Sequence, residues 1–82
     1  MWFVYILECS DGTYYTGATN DLDKRIKKHN DGKGAKYTKT RRPVKLMKSF
    51  ECIDKSDALK LEYKIKQLPK NEKLTYERHK DD

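Results

Sequence analysis

Five side chains in this chain are of the types that act on phosphodiester bonds. A guanidinium donates planar, paired hydrogen bonds to a phosphate whose negative charge grows as its ester bond breaks. A phenol or an imidazole can accept or relay the proton of an attacking water, and a carboxylate can bind a divalent metal ion. If the fold brings the five groups into one cleft, they predict a nuclease. They are Tyr5, Tyr15, Arg25, His29 and Glu62.

Each of these residues also has an ordinary role when it stands alone. Arginine and histidine on a lysine-rich helix are usually surface groups, and tyrosines in strands usually pack with the hydroxyl toward solvent. Glu62 could form a solvated ion pair with Lys66 or Arg25 that contributes little free energy. The secondary structure elements that position the five residues therefore decide the interpretation.

The N-terminal part of the chain predicts a β-hairpin. Residues 2 to 9, WFVYILEC, are rich in aromatic and β-branched types, and residues 13 to 17 form a second short strand. Between them, Ser10-Asp11-Gly12 has turn chemistry. A two-residue turn would place the tyrosines of the two strands on opposite faces. We expect a three-residue loop with its glycine left-handed, which pairs Leu7 with Tyr15 and places both tyrosines on one face.

A helix should follow the hairpin, from about Asp21 to Asn30. Asn20 is a good N-cap residue, acidic residues occupy the first turn, and Gly32 follows as a stop signal.

The first helix should direct two of the five groups toward the protein interior. Its apolar anchors are Leu22 and Ile26. At about 100° per residue, Arg25 and His29 fall roughly 60° and 20° from Leu22, along the edge of the packing stripe. We therefore expect both side chains to point inward.

The middle of the chain should be a basic loop followed by a third strand. Residues 32 to 43, GKGAKYTKTRRP, show no apolar periodicity, and their final proline limits regular structure. Residues 44 to 53, VKLMKSFECI, alternate well enough for a strand. The residues expected on one face of that strand are Val44, Leu46, Phe50 and Cys52.

A second main helix should begin after Asp54 or Ser56 and end before Pro69. Glu62 lies inside its apolar stripe, which consists of Ala58, Leu61, Ile65 and Leu68. A carboxylate among apolar neighbours requires a cation, hydrogen-bond donors or a metal ion. One glutamate suffices for Mg²⁺, which keeps several waters and binds few protein carboxylates.

The end of the chain predicts little regular structure. A short C-terminal helix could form from about Glu72 to Arg78, and Asp81 and Asp82 should form a frayed end.

Positive charge is concentrated in the middle of the sequence. Residues 24 to 48 contain eleven lysines and arginines and one acid, Asp31, for a net +10, whereas the rest of the chain carries −4. This asymmetry favours a nucleic acid as partner through contacts with phosphates, although lysine-rich surfaces can also serve solubility alone. The residues expected to contact nucleic acid are Lys28, Lys36, Tyr37, Lys39, Arg41 and Arg42.

Length and composition limit the other possibilities. The chain has 82 residues, so we expect one domain spanning residues 1 to 82. A domain of this size buries only about 60% of the surface that its unfolded chain exposes, which leaves no room for a second core. The opening apolar run lacks a basic leader and is too short for a signal peptide or a membrane span, so we expect a cytoplasmic monomer. Cys9 and Cys52 should be reduced core thiols, because a zinc site with His29 and His79 would need four isolated ligands to converge.

The order of residues resembles that of the GIY-YIG nuclease superfamily. The resemblance rests on FVY at 3 to 5, YTG at 15 to 17, TNDLDKRIKKHN at 19 to 30, and a later helix with Glu62. The length and the stretch GKGAKYTKTRRPVKL are similar to small, stand-alone bacterial members. The resemblance implies an α+β fold in which a three-stranded antiparallel sheet is flanked by two main helices and a possible short C-terminal helix.

It also implies roles for the site residues. Tyr5 and Tyr15 would line the site, one of them taking or relaying a proton from water, while Gly17 permits close approach. Arg25 would hold the scissile phosphate and His29 would assist proton transfer. Glu62 would bind one divalent ion, Mg²⁺ or Mn²⁺. The expected activity is cleavage of DNA, directed by structure or weakly by sequence, in repair, recombination or processing; RNA is also open.

The sequence departs from the family pattern at several positions. Phe3 and Val4 replace the Gly-Ile of the first triplet, and Thr16 replaces the isoleucine of the second. Many family nucleases carry an asparagine in a later helix, where this chain offers only Asn71. Two alternatives therefore stay open: a nucleic-acid-binding module without turnover, and a structural or protein-interaction role in which the basic segment meets an acidic partner.

Overall fold

The computed structural model describes residues 1 to 78 of the chain. Its three strands form one antiparallel sheet in the order β2-β1-β3, which confirms the expected α+β class. None of the helices in this range is long and apolar enough to span a membrane. The elements are β1 (Trp2–Glu8), β2 (Tyr14–Thr19), α1 (Leu22–Asn30), α2 (Lys36–Lys39), β3 (Lys45–Cys52), α3 (Lys55–Lys66) and α4 (Lys70–Lys73).

The central strand β1 is covered on both faces, which explains its continuous apolar sequence. Val4 and Ile6 pack with Ala58, Leu61 and Ile65 of α3 in one core cluster. The alternate residues of β1 lie on the other face, where they form a second cluster against the anchors of α1. The members of this second cluster are Tyr5, Leu7, Cys9 and Val44, with Tyr15, Leu22 and Ile26 packed against it.

The hairpin has the register that its turn chemistry predicts. Leu7 pairs with Tyr15, which confirms the three-residue loop. Gly12 has a φ of 83°, a left-handed conformation that glycine adopts without a steric penalty. Because Tyr5 and Leu7 share a face of β1, this register places the Tyr15 side chain on the face that carries Tyr5.

Helix α1 begins at Leu22, one residue later than a helix capped by Asn20 would begin. The N-cap is Asp21, whose carboxylate accepts a hydrogen bond from the backbone N–H of Lys24 at 3.2 Å. The prediction that Asn20 caps the helix was wrong. Thr19 Oγ1 accepts a hydrogen bond from the Asp21 N–H at 3.1 Å, and the helix begins after Asp21. The expected end at Asn30 is confirmed.

The basic segment is more ordered than its sequence predicts. It contains one helical turn, α2, where an irregular loop was expected. One turn has little intrinsic stability in water, so contacts with other parts of the fold must stabilise it. Arg41 donates to the Tyr37 carbonyl at 2.8 Å, and Arg42 donates to the Lys39 carbonyl at 2.9 Å. Arg42 also donates to the Asn30 carbonyl at 3.3 Å, and Arg41 donates to the Asp11 carboxylate at 3.0 Å. A periodicity argument cannot reveal these two longer-range contacts.

Strand β3 contains a bulge that the alternating pattern conceals. Ile6 pairs with Lys48 and Leu7 pairs with Leu46, so that Met47 is the additional residue. Phe50 therefore packs with the α3 cluster, and Val44 packs with the α1 cluster. The prediction that Val44, Leu46, Phe50 and Cys52 share one face was wrong, because the bulge reverses the alternation.

Helix α3 carries the predicted apolar stripe. Asp54 is its N-cap and accepts the backbone N–H of Asp57 at 2.8 Å, which settles the choice between Asp54 and Ser56. Ala58, Leu61 and Ile65 are buried as predicted, whereas Leu68 follows the helix and is partly buried.

The C-terminal helix lies earlier than expected. It covers Lys70–Lys73 and not the region from Glu72 to Arg78. Lys48 donates to the carbonyls of Leu74 and Tyr76, so these groups are bonded across the fold and do not continue a helix. The predicted frayed end at Asp81 and Asp82 lies outside the described residues.

Both cysteines are buried free thiols, as predicted. Cys52 belongs to the α3 cluster and Cys9 to the α1 cluster, on opposite faces of the sheet. Burial raises the pKa of both thiols, which favours their protonated form. This placement does not support a zinc site that contains both; His79, the fourth proposed ligand, lies outside the described residues.

We expect truncation of α3 to test the packing of its inner face. Ile65→Ala should lower the free energy of unfolding by roughly 2 to 5 kcal/mol, because the side chain is fully buried. Leu59→Ala, on the same helix but 48% exposed, should lower it by less than about 1 kcal/mol. Urea denaturation of the two variants measures the difference, and equal losses would contradict the assigned packing face.

Candidate active site

Three of the five predicted site residues form an aromatic cluster on the α1 face of the sheet. The ring centroids of Tyr5 and Tyr15 are 6.5 Å apart. His29 lies 5.8 Å from the first ring and 5.2 Å from the second, edge-on to both. Strand β1, strand β2 and helix α1 each contribute one of these rings. The hairpin and the first helix therefore bring the three groups together.

Gly17 lets the Tyr5 side chain extend across β2. The two residues are paired in the sheet, and a Cβ atom at position 17 would overlap the Tyr5 hydroxyl oxygen and the adjoining ring carbon. The phenol of Tyr5 therefore lies directly over the backbone of the edge strand. This contact gives a steric reason for glycine at this position.

His29 is held from both sides by hydrogen bonds. Its Nε2 lies 2.9 Å from the Tyr5 hydroxyl, and its Nδ1 lies 2.7 Å from Thr38 Oγ1. Thr38 donates its own proton to the Ala35 carbonyl at 3.1 Å, so its oxygen must accept from Nδ1–H. Nε2 of the neutral ring is then an acceptor, and the Tyr5 hydroxyl donates to it. The hydrogen bonds thus run from Tyr5 through His29 and Thr38 to Ala35.

Burial shapes the proton affinities of this pair. It lowers the pKa of His29 below 6.5, with a smaller contribution from the positive charge of Arg25. His29 is therefore neutral at pH 7 and able to accept a proton. Burial also raises the pKa of Tyr5, reinforced by Tyr15 and Glu62 and opposed by Arg25. The Tyr5 phenol is consequently protonated at rest, and does not supply a preformed phenolate.

Arg25 and Glu62 act on the same phenol from different layers of the fold. Both are partly buried, and both contribute to the electrostatic environment of Tyr5. Arg25 comes from α1, and its positive charge opposes the rise in the pKa of Tyr5. Glu62 comes from α3, on the other side of the sheet. Contacts therefore join Tyr5, Tyr15 and His29 directly, whereas Arg25 and Glu62 are related to this cluster through their effect on the pKa of Tyr5.

Glu62 already has a cationic neighbour. Its Oε2 lies 3.0 Å from Lys66 Nζ, one turn later on α3, and its side chain is 18% exposed. Within residues 1 to 78, no three His, Cys, Asp or Glu side chains are close enough to ligate one metal ion. The donor set therefore fits a hydrated Mg²⁺ that takes one carboxylate and substrate oxygens better than it fits a closed zinc site.

The predicted nucleic-acid contacts divide into two groups. Lys28, Lys36 and Lys39 are exposed, and Lys28 and Arg25 line a small polar cavity of about 160 Å³ beside α1. The Tyr37 side chain is also exposed, so these four residues form the group that is accessible to a ligand.

The two arginines of the basic segment are engaged by the protein itself. Arg41 forms an ion pair with Asp11 at 3.0 Å, in addition to its bond with the Tyr37 carbonyl. Arg42 donates to the carbonyls of Lys39 and Asn30. Both side chains thus contribute to the order of the segment, whatever contacts they make with a ligand.

Sequence reasoning missed two residues that hold His29 in place. Thr38 is fully buried and bonds to Nδ1. Gly34 packs against the same ring so closely that an added Cβ would overlap Nδ1. Both lie in the segment expected to be an irregular loop. A useful signal would have been that a buried imidazole acting through one nitrogen needs a partner for the other.

Asn71 lies in α4 with an exposed side chain. In the described part of the chain, no hydrogen bond joins its side chain to Tyr5, Tyr15 or His29. The structure therefore gives Asn71 no role that would match the asparagine found in a later helix of many family nucleases.

The fold and the order of residues along the chain match a known class of catalytic domains. The family model described as the GIY-YIG catalytic domain matches residues 1 to 76. The chain belongs to the GIY-YIG family.

More particularly, the chain is similar to small proteins designated UPF0213. It is 54% identical over 72 residues to one from Staphylococcus epidermidis, with 88% of each chain covered. It is 50% identical over 74 residues to the UPF0213 protein YazA of Bacillus subtilis, covering 90% of this chain and 75% of that one.

Solved structures share the fold. The solution structure of a UPF0213 protein from Bacillus halodurans has a TM-score of 0.55 and 49% identity, covering 92% of this chain and 81% of that one. The solution structure of an Enterococcus faecalis protein, EF2693, has a TM-score of 0.61 and 34% identity, covering 94% and 88%.

The lowered pKa of His29 predicts a pH-dependent stability. Between the usual pKa of 6.5 and its lower folded value, the unfolded state binds more protons at this residue, so the free energy of unfolding decreases as pH falls. His29→Gln should remove this contribution. Urea denaturation at a series of pH values measures the difference from wild type, and ¹⁵N NMR of the imidazole should show an unprotonated Nε2 at pH 7. Normal titration near pH 6.5 would contradict the assignment.

Gly17→Ala should displace the Tyr5 ring. We expect it to lower the free energy of unfolding by roughly 1 to 3 kcal/mol, because the new methyl group would overlap a packed side chain. In a Tyr5→Phe background the loss should be smaller, since one of the overlapping atoms is gone. A double-mutant cycle by urea denaturation measures this coupling, and strictly additive losses would contradict a direct contact.

Proposed function

We propose that this protein is a metal-dependent DNA endonuclease that hydrolyses phosphodiester bonds. The observation that carries the proposal is the buried, neutral imidazole of His29, bonded to the hydroxyl of Tyr5. Burying both groups requires mutual hydrogen bonding. A neutral acceptor behind a phenol is also what a proton relay needs. Membership of the GIY-YIG family supports the same reaction class.

The proton of the attacking water would leave through the Tyr5–His29 pair. As the Tyr5 oxygen takes a proton, directly or through the neighbouring Tyr15, it passes its own proton to His29 Nε2. The imidazole becomes a cation whose Nδ1–H stays bonded to Thr38. Because the raised pKa of Tyr5 disfavours a free phenolate, this handover must accompany the attack. Thr38 acts as a positioning residue that fixes the tautomer of His29.

Arg25 would bind the scissile phosphate. Its side chain is partly buried, lines the cavity beside α1 and influences the pKa of the Tyr5 phenol, so it would meet a phosphate whose charge develops there. A charge-assisted hydrogen bond in a partly desolvated site stabilises such a transition state more than it would in water. Lys24 and Lys28, which line the adjoining cavity, would contact neighbouring phosphates.

Glu62 is the residue that would hold a divalent ion, Mg²⁺ or Mn²⁺. When bound, such an ion supplies Lewis acidity toward the phosphate oxygens and the leaving group. Glu62 itself would orient the substrate from the α3 side of the sheet edge. Its ion pair with Lys66 would have to open or be shared during binding, because that lysine now neutralises part of its charge.

DNA is the proposed substrate, and cleavage would be directed by structure or weakly by sequence. Exposed lysines on α1 and α2 supply contacts with the phosphate backbone, which carry no sequence information by themselves. Such a protein would suit repair, recombination or processing of DNA. RNA shares the backbone chemistry and belongs in the same assays.

A binding module that lacks turnover is the second candidate, favoured by the exposed position of Asn71 and by the Glu62–Lys66 ion pair. It accounts less well for the hydrogen bonds of His29. A surface that only bound phosphates would gain nothing from a buried neutral imidazole, because binding needs exposed positive charge.

Cleavage assays on supercoiled, nicked and branched DNA test the proposal. The purified protein should cut with Mg²⁺ and lose activity when the metal is chelated. Arg25→Ala and Glu62→Gln should each lower the rate by at least about 100-fold, the usual effect of removing a group that stabilises a transition state. Initial rates at saturating DNA measure the effect.

Matched controls separate catalysis from general loss of charge. Lys27→Ala removes one positive charge from the same helix, and Glu72→Gln removes one exposed carboxylate. Both variants should cleave within a few-fold of wild type. If Arg25→Ala and Glu62→Gln cut as well as the parent, the activity belongs to a contaminant. If no variant cuts but all bind DNA, the binding module is the correct function.

A further inference from the structure

A second cavity opens beside the candidate active site, on the α3 and α4 side of Tyr15. Its volume is about 230 Å³, enough for a nucleobase but not for a stacked base pair. It is lined by Tyr14, Tyr15, Thr16, Tyr37, Lys66 and Lys73. The catalytic steps proposed above use Tyr15 and open or share the ion pair of Lys66 with Glu62, so the other lining residues are available for a different part of the substrate.

One wall of the cavity is made of stacked aromatic rings. Tyr15 and Tyr37 lie with ring centroids 6.0 Å apart and planes inclined by 26°. The Arg41 guanidinium lies 3.9 Å from the centroid of the Tyr37 ring. Arg41 is itself held by Asp11 and by the Tyr37 carbonyl. The exposed ring of Tyr37 is therefore positioned before any ligand arrives, which lowers the entropic cost of stacking on it.

The remaining lining residues supply positive charge. Lys66 and Lys73 contribute ammonium groups from α3 and α4. Thr16 is 4% exposed, and in the part of the chain that the structure describes its hydroxyl oxygen has no hydrogen-bond partner. Aromatic rings beside cations match an aromatic ligand that carries negative charge.

The cavity adjoins the candidate catalytic groups. Lys66 lines it and also lies 3.0 Å from Glu62, the candidate metal ligand. Tyr15 lines it and contacts the ring of His29. A nucleotide with its phosphate near Arg25 could therefore place an adjacent base in the cavity.

We infer that this cavity binds an unpaired nucleobase next to the scissile phosphate, so that the preferred substrate is DNA with single-stranded nucleotides at the cut. The inference rests on the proposed function and adds its substrate class. Bases in a continuous duplex are paired and stacked on their neighbours, and opening them costs free energy. An unpaired base can stack on an aromatic side chain without that cost, and such stacking tolerates any sequence.

Fluorescence anisotropy with chelated metal tests the inference without cleavage. Three probes are compared at one salt concentration: a single-stranded thymidine oligonucleotide, an abasic strand with the same number of phosphates, and a blunt hairpin duplex. The variants are Tyr37→Leu, which removes the ring, and Tyr37→Phe, which keeps it. Tyr63→Leu is the matched control, because Tyr63 is 69% exposed and does not line the cavity.

Tyr37→Leu should weaken binding of the thymidine strand about 5- to 100-fold, the usual effect of losing one stacked base. It should change affinity for the abasic strand by less than about twofold, because only phosphates remain to be bound. Tyr37→Phe should restore thymidine binding to within about threefold of wild type, and Tyr63→Leu should behave as wild type. Circular dichroism verifies that each variant is folded.

Equal losses on the thymidine and abasic strands would overturn the inference, because the ring would then act on the backbone or on folding. Tighter binding of the duplex than of the thymidine strand by the wild type would also overturn it. The proposed function can fail separately: selective binding of unpaired DNA without any cleavage would support the cavity and refute the nuclease. If the protein instead cleaves duplex and single-stranded DNA equally and Tyr37→Leu has no effect, the nuclease is supported and the cavity inference is refuted.

Discussion

The hydrogen bond between Tyr5 and His29 is the interaction on which the candidate site depends. Neither polar group could remain in this apolar layer without the other, because an unpaired hydroxyl or ring nitrogen would lose its hydration there. The bond is possible only because Gly17 leaves room for the phenol and Thr38 occupies the second ring nitrogen. Packing, tautomer and proton affinity are thus set by the same few contacts.

The site is also a junction between the two layers of the fold. His29 and Arg25 come from α1 on one face of the sheet, and Glu62 comes from α3 on the other. The sheet ends at β2, the edge strand, and both layers influence the pKa of Tyr5 from their own side. Correct placement of the acid relative to the imidazole therefore depends on the packing of both helices against β1. Stability of the small core and geometry of the site are coupled.

The sequence predicts those features that depend on near neighbours. The hairpin register follows from Ser10-Asp11-Gly12, and the apolar faces of α1 and α3 follow from helical periodicity. It does not predict α2, beside which Arg42 bonds to the Asn30 carbonyl and Arg41 pairs with Asp11, or the contact of Thr38 with His29. The convergence of residues on different elements could be expected only from the resemblance, since no local rule fixes how the layers meet.

The bulge in β3 shows a constraint of another kind. Met47 is partly exposed, and the position makes no demand on the chemistry of its side chain. Its presence in the chain, however, sends Val44 to one core and Phe50 to the other. Substitutions there should be tolerated far better than loss of the residue, because a deletion would move the side chains of half the strand to the opposite face of the sheet. At the bulge the fold therefore requires one additional residue in β3, but that residue need not be methionine.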